Sequence, residues 1–184
     1  MPRPSREDIY SSYYSQLTQL STGLPMSFRP TLTNLIACLP ELFADDWPLV
    51  PHHTDLLENN IHVDPATGAL RGICDWKDTA VGPFGTSLWS LETMLGVRTR
   101  RDGWRYHANQ QELLDMFWDS FRSAMGSVSE EQMASVEVAR LVGLFLENGF
   151  VYVDDITKVP ISEGSYEMRY LEAVTLGLWA RTGH

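Results

Sequence analysis

His53, Asp55, Asn60 and Asp75 fall within one short stretch, residues 51–76, and together they could perform chemistry. Ile61, His62 and Val63 alternate as a strand, Pro65 to Gly68 read as a turn, and Leu70 to Cys74 read as a returning strand. A hairpin brings its two ends together. Asp75, at the end of the second strand, is therefore expected close to Asp55 and Asn60. Two carboxylates and a carboxamide that converge in this way can hold Mg²⁺, a hard cation that takes oxygen ligands. One carboxylate would remain to orient or deprotonate a hydroxyl. This is the equipment of phosphoryl transfer. Taken singly, each residue has a plainer role: Asp55 capping a turn, Asn60 as a turn residue, Asp75 bonded to backbone. His52, His53 and His62 read as exposed or structural, because no histidine pair has the i, i+4 spacing of a helical metal site.

The elements that must position these groups are mainly helical. Ser5 with Asp8 forms a capping-box pattern ahead of Ile9, Tyr13, Leu17 and Leu20 at helical spacing. Gly23, Pro25 and Pro30 mark a linker over residues 21–31. Thr31 is placed to cap a second helix carrying Leu32, Leu35, Ile36 and Leu39, which Pro40 stops. Leu49 and Val50 form a short strand, and Gly82-Pro83 breaks the chain. Leu88, Leu91 and Leu95 share one face of a helix that starts at Thr86 or Ser87 and ends at Gly96. The Asp102-Gly103 turn suggests a second hairpin over 97–106. Helices then follow from Asn109, from Ser129 with Gln132, and from Ser165 through Leu171, Leu178 and Trp179. Residues 153–164 read as a flexible loop. The fold class expected is mainly α with small β-hairpins, an α+β chain.

The 184 residues suggest one domain, long enough to bury a core without cross-links. A net charge of -10 opposes a phosphate-backbone partner, so nucleic acid is not expected, nor is an anionic membrane surface. Cys38 and Cys74 each lie in an apolar run and read as small buried hydrophobes of a reducing compartment. The N-terminus has no apolar core of a secretory signal, and Glu147 and Asn148 interrupt the longest apolar run, 141–153. A cytoplasmic location is expected.

The run from His53 through Asp55 to Asn60, followed by Ile73, Cys74, Asp75 and Trp76, resembles the aminoglycoside phosphotransferase/choline kinase superfamily. That family has a His-Gly-Asp…Asn loop and an Ile-Ile-Asp-Trp motif. The segment from Gly82 to Trp89, with Leu91 and Glu92, is similar to the continuation seen in fungal members. The resemblance is dense over 49–96 and carries no further motif over 97–184. It implies a kinase-like C-terminal lobe over 31–184, preceded by an N-terminal helix and linker over 1–30. It also implies Asp55 as catalytic base, Asn60 and Asp75 as Mg²⁺ ligands, and His53 as a structural partner of the loop. The sequence departs from the pattern at Thr54, where Gly is usual, at Lys77, where an acid is common, and at Ser87, where an Asp usually begins the helix.

Only 52 residues precede His53, and they contain no lysine; the first is Lys77. The nucleotide-covering lobe of the family is therefore expected to be missing. The first functional expectation is an ATP-independent enzyme on a repurposed lobe, performing a cyclisation or isomerisation (a pericyclic-type step) in secondary metabolism. Asp55 and His53 would be its acid–base groups, Trp76, Phe84 and Trp89 would line its pocket, and it would need no cofactor. The alternative is a phosphotransferase acting on a small-molecule hydroxyl with Mg²⁺ and ATP. The third is a non-catalytic binding module. An exposed lobe face further suggests a homodimer, or cover by the helix carrying Ile9, Tyr13 and Leu17.

Overall fold

The computed structural model describes residues 4–77, 79–99 and 103–177, and the backbone of 181–182. Its elements run α1 (Arg6–Gly23), α2 (Arg29–Cys38), β1 (Leu49–His52), β2 (Ile61–Val63), β3 (Leu70–Ile73), β4 (Ala80–Pro83), α3 (Leu91–Met94), β5 (Gly96–Thr99), β6 (Gly103–Tyr106), α4 (Gln110–Met125), α5 (Glu130–Asn148), β7 (Phe150–Tyr152), β8 (Lys158–Pro160), α6 (Tyr166–Leu176) and β9 (Arg181–Thr182). The strands form small sheets: β1 with β4, β2 with β3, β7 with β8, and β5, β6 and β9 together. The expected class, mainly helical with small strand pairs, is the class found.

Local chemistry accounts for most of the boundaries. Ser5 and Ser129 each build a complete capping box, with Asp8 and Gln132 respectively. Ser165 accepts from the Met168 N–H and starts α6. Asn109 precedes α4 but makes no side-chain cap. Its backbone (φ -103°, ψ 22°) is not extended, so its amide is not aimed back along the helix.

Several expectations are corrected. α2 starts at Arg29, before the expected Thr31 cap. Pro30 sits in its first turn, where an absent N–H costs nothing because the first four donors lack helical partners anyway. Residues 86–95 form a 3-10 segment, Thr86–Ser90, and only then the short α3. The hydroxyls of Thr86, Ser90 and Thr93 bond the carbonyls three residues back, which favours the tighter winding. Gly82 and Pro83 do not break the chain. They belong to β4, which pairs with β1 from Leu49↔Pro83 to His52↔Ala80. The expected loop over 153–164 contributes β8. The Asp154 carboxylate accepts from the N–H groups of Ile156 and Thr157 and closes a turn between β7 and β8. Leu178 and Trp179, expected in the last helix, lie outside the described residues.

One buried cluster draws on α1, α2, α5 and α6, joined by Trp89 and Trp104. Leu17 and Leu20 of α1, Leu32 and Leu35 of α2, Leu144 and Phe145 of α5 and Leu171 of α6 all have 0% exposure. α1 is therefore part of the core and not a loose appendage. α5 lies closest to the Thr86–Ser90 segment: a Cβ built on Gly143 would stand 2.0 Å from the Thr86 carbonyl oxygen. Beside this crossing, buried Glu92 accepts from Tyr106 Oη (2.5 Å) and from Arg140 Nη1 (3.2 Å). Arg140 also forks onto Glu137, so the chain of charges ties α3 and β6 to α5. Cys74 is exposed and Cys38 half-buried, both free. Cys74 was expected to be buried, but the β2–β3 hairpin projects from the core, with Val63 and Leu70 more than half exposed. Among the described residues no helix is long and apolar enough to cross a membrane.

Candidate functional site

The β1–β4 pair ends at His52, and the chain leaves it into the loop that holds His53, Asp55 and Asn60. His53 is 4% exposed. Its Nδ1 accepts the Asp55 N–H (3.2 Å) and its Nε2 meets the Cys74 carbonyl oxygen (2.7 Å). A backbone N–H only donates and a carbonyl only accepts, so the imidazole is neutral with its proton on Nε2. Both nitrogens are then occupied, which leaves neither to meet a ligand. The ring clamps the loop carrying Asp55 to the strand end carrying Asp75. Trp76 packs edge-on against it, with centroids 4.9 Å apart.

Asn60 is the second clamp. It is 5% exposed, and its Nδ2 donates to the Asp55 carbonyl (2.7 Å) and to Asp55 Oδ2 (3.3 Å). Its own carbonyl accepts the Cys74 N–H at 3.0 Å, which pins the hairpin to the loop. With Nδ2 spent, Oδ1 faces the hairpin, accepting from Asn59 and lying 3.8 Å from Cys74 Sγ. Asp75 follows directly. Its φ of 60° makes it the one non-glycine residue with positive φ among those described. Such a backbone costs roughly 1–2 kcal/mol and is held by its surroundings. Here the Trp76 indole curls back to donate to the Ile73 carbonyl at 2.9 Å. No described residue donates to the exposed Asp75 carboxylate.

Asp55 opens onto a cavity of about 610 Å³. Glu58, Trp89, Arg98, Trp104 and Glu147 also line it. Trp89, one of the three aromatics named from the sequence, is on this wall. Trp76 and Phe84 are elsewhere: Trp76 stands 48% exposed beside His53, and Phe84 stacks on Phe121 of α4 at 6.2 Å. Asn60 and Asp75 lie outside the cavity wall, on the hairpin side of Asp55. Sequence reasoning passed over Glu147, Arg98 and Trp104. Only Glu147 left a signal, as the charge interrupting the apolar run 141–153.

Glu147 sits in the last turn of α5, solvent-exposed at the cavity wall, with its stem against the protein. The loss of water pushes its carboxyl above the usual range; Lys158 opposes that rise and the Asp55 charge adds to it. Lys158 lies over the Phe150 ring and donates to Gln16 of α1. Behind the loop, His52 is 5% exposed with neither ring nitrogen partnered, and burial lowers its pKa. Tyr13 is pushed up to about 12, chiefly by burial.

The description "phosphotransferase enzyme family" matches this chain over residues 5–122. The chain belongs to that family. The match runs from α1 into α4 and contains His53, Asn60, Asp55 and Asp75; α5 and α6 lie beyond it. No curated protein and no solved structure matches the chain.

Proposed function

We propose that this family member transfers a phosphoryl group to a small-molecule hydroxyl, with Mg²⁺ and ATP. The observation that carries the reading is the His53 clamp. One neutral ring binds the Asp55 loop and the Asp75 strand end at once, so the base and the metal-side carboxylate share one rigid frame. In this reading Asp55 accepts the proton of the attacking hydroxyl. Asn60 holds the Asp55 carboxylate from one side, and His53 positions its backbone.

Asn60 Oδ1 and the Asp75 carboxylate would hold Mg²⁺. Among the described residues no group of three or more His, Cys, Asp or Glu side chains could hold a metal ion. That argues against a protein-built cage. It suits Mg²⁺, which commonly takes one or two protein oxygens and fills its shell with phosphate and water. The metal would neutralise developing charge on the phosphates.

Thermal unfolding with and without Mg-ATP tests the reading. A nucleotide at 100 times its Kd adds about 2.7 kcal/mol, a rise of roughly 5–10 °C for this chain length. The rise should need Mg²⁺ and shrink in Asp75→Asn. No shift at millimolar Mg-ATP would sink the proposal. The second reading is the ATP-independent acid–base enzyme, and the cavity favours it: a second carboxyl group, Glu147, shares an indole-walled cavity with Asp55. That reading calls for small-molecule turnover without nucleotide, lost in both Asp55→Asn and Glu147→Gln.

A further inference from the structure

The β2–β3 hairpin carries two side chains that the chemistry above leaves unused. His62 lies in the middle of β2 and pairs with Gly72 of β3. Cys74 is two residues beyond Gly72, which makes it the diagonal neighbour of His62 on one face of the hairpin. Both side chains are exposed, and the thiol is free. His62 Nε2 stands 3.3 Å from Cys74 Sγ. Asn60 Oδ1 stands 3.8 Å from the same sulfur.

The first distance is close to the spacing of two ligands on one small cation. A Zn–S bond of about 2.3 Å and a Zn–N bond of about 2.0–2.1 Å, opened to the tetrahedral angle, hold their donors about 3.5 Å apart. Against the 3.3 Å found, the pair needs to open by only about 0.2 Å. The backbone of Cys74 is already fixed for this. Its N–H donates to the Asn60 carbonyl (3.0 Å), and its own carbonyl accepts from His53 Nε2 (2.7 Å). Little ordering remains to be done when the sulfur takes a ligand.

The donor types fix the class of ion. Thiolate and imidazole suit zinc and cadmium, whereas magnesium and calcium take oxygen. Among the described residues no group of three or more His, Cys, Asp or Glu side chains stands together, so water completes the shell. Such a site is open and exchangeable, unlike the closed four-ligand sites that hold a fold together.

We propose that Cys74 and His62 form a binding site for a thiophilic divalent cation, of which Zn²⁺ and Cd²⁺ are the representatives. The metal replaces the thiol proton, which leaves to solvent, and takes the lone pair of His62 Nε2; nothing is oxidised or reduced. One hairpin end then carries a soft S,N pair beside the hard oxygens of Asn60 and Asp75, and the two sort their ions by ligand type.

Cadmium titration of the untagged chain, reduced with a phosphine, tests this through the ultraviolet thiolate-to-metal charge-transfer band. The parent should show the band, Zn²⁺ should remove it, and millimolar Mg²⁺ should not. The chain has two cysteines, which supplies an internal control. Cys38→Ser should keep the band and Cys74→Ser should abolish it. His62→Gln should bind at least about tenfold more weakly, since loss of even an outer-shell partner costs that much. A parent without the band, a band kept in Cys74→Ser, a band removed by Mg²⁺, or a His62→Gln affinity equal to that of the parent overturns the proposal. If Cys74→Ser does not fold, the Cys38→Ser chain alkylated at Cys74 takes its place and must show no band. The site does not depend on the reaction proposed above, so a chain that Mg-ATP fails to stabilise can still pass this test.

Discussion

His53 and His52 are neighbours with opposite duties. His53 has both ring nitrogens bonded and holds the Asp55 loop to the end of β3. His52 has neither bonded, and its ring is buried against Gly82 of β4, where a Cβ on Gly82 would meet both Tyr13 Oη of α1 (2.5 Å) and His52 Nε2 (2.7 Å). Burial lowers the His52 pKa below its ordinary 6.5. Above that pH neither the folded nor the unfolded chain protonates it, and it adds no slope. Below it the unfolded chain takes a proton that the folded state refuses. Stability then falls, by up to about 1.4 kcal/mol per pH unit, until the folded imidazole also protonates. Urea unfolding at pH 7.0 and 5.5 should show the parent losing more stability than His52→Phe. Equal losses would reject a neutral buried His52. Glu147 runs the other way: with its carboxyl raised, its contribution is present below 4.5 and is lost as pH rises through its folded value.

α5 is the element on which the cavity depends. Its apolar face enters the core, its last turn carries Glu147 to Asp55, and its middle touches the Thr86–Ser90 segment that leads to Trp89. Gly143 permits that contact. In an exposed helix Gly→Ala stabilises by about 1 kcal/mol. Here the added Cβ would stand 2.0 Å from the Thr86 carbonyl, so α5 or the 3-10 segment must move. Gly143→Ala should therefore destabilise, by roughly 1–3 kcal/mol, the cost of overpacking. A urea midpoint equal to or above that of the parent would show that the crossing is looser than described.

At the scale of the molecule, α1 is not separable from the rest. Ile9, Leu17 and Leu20 enter the same cluster as α2, α5 and α6, and Arg6 bonds the carbonyls of Ala44 and Trp47. Losing those three side chains forfeits roughly 5–9 kcal/mol of burial, at about 1.5–3 kcal/mol each. That is comparable with the whole stability of a typical domain. Deleting residues 1–22 should abolish cooperative thermal unfolding. A truncated chain with a sharp transition would show that α1 is dispensable.

Residue type and short-range spacing were enough to identify the family and its loop: His53, Asp55, Asn60 and Asp75 lie on one loop and one hairpin, so local geometry brings them together. The capping boxes at Ser5 and Ser129 and the 61–73 hairpin were legible for the same reason, since each depends on neighbours a few residues apart. The 3-10 winding after Gly85 and the turn at Asp154 were harder, because hydroxyl and carboxylate bonds to nearby backbone override a helical or featureless pattern. Apart from Trp89, what lines the cavity was not legible. Trp89, Arg98, Trp104 and Glu147 meet only because α5 crosses the Thr86–Ser90 segment at Gly143, and no local pattern encodes that crossing. The sequence alone determined the family and which polar groups share the loop and the hairpin. The tertiary packing decided what stands opposite Asp55, because contacts between distant segments are set by the shape of the core.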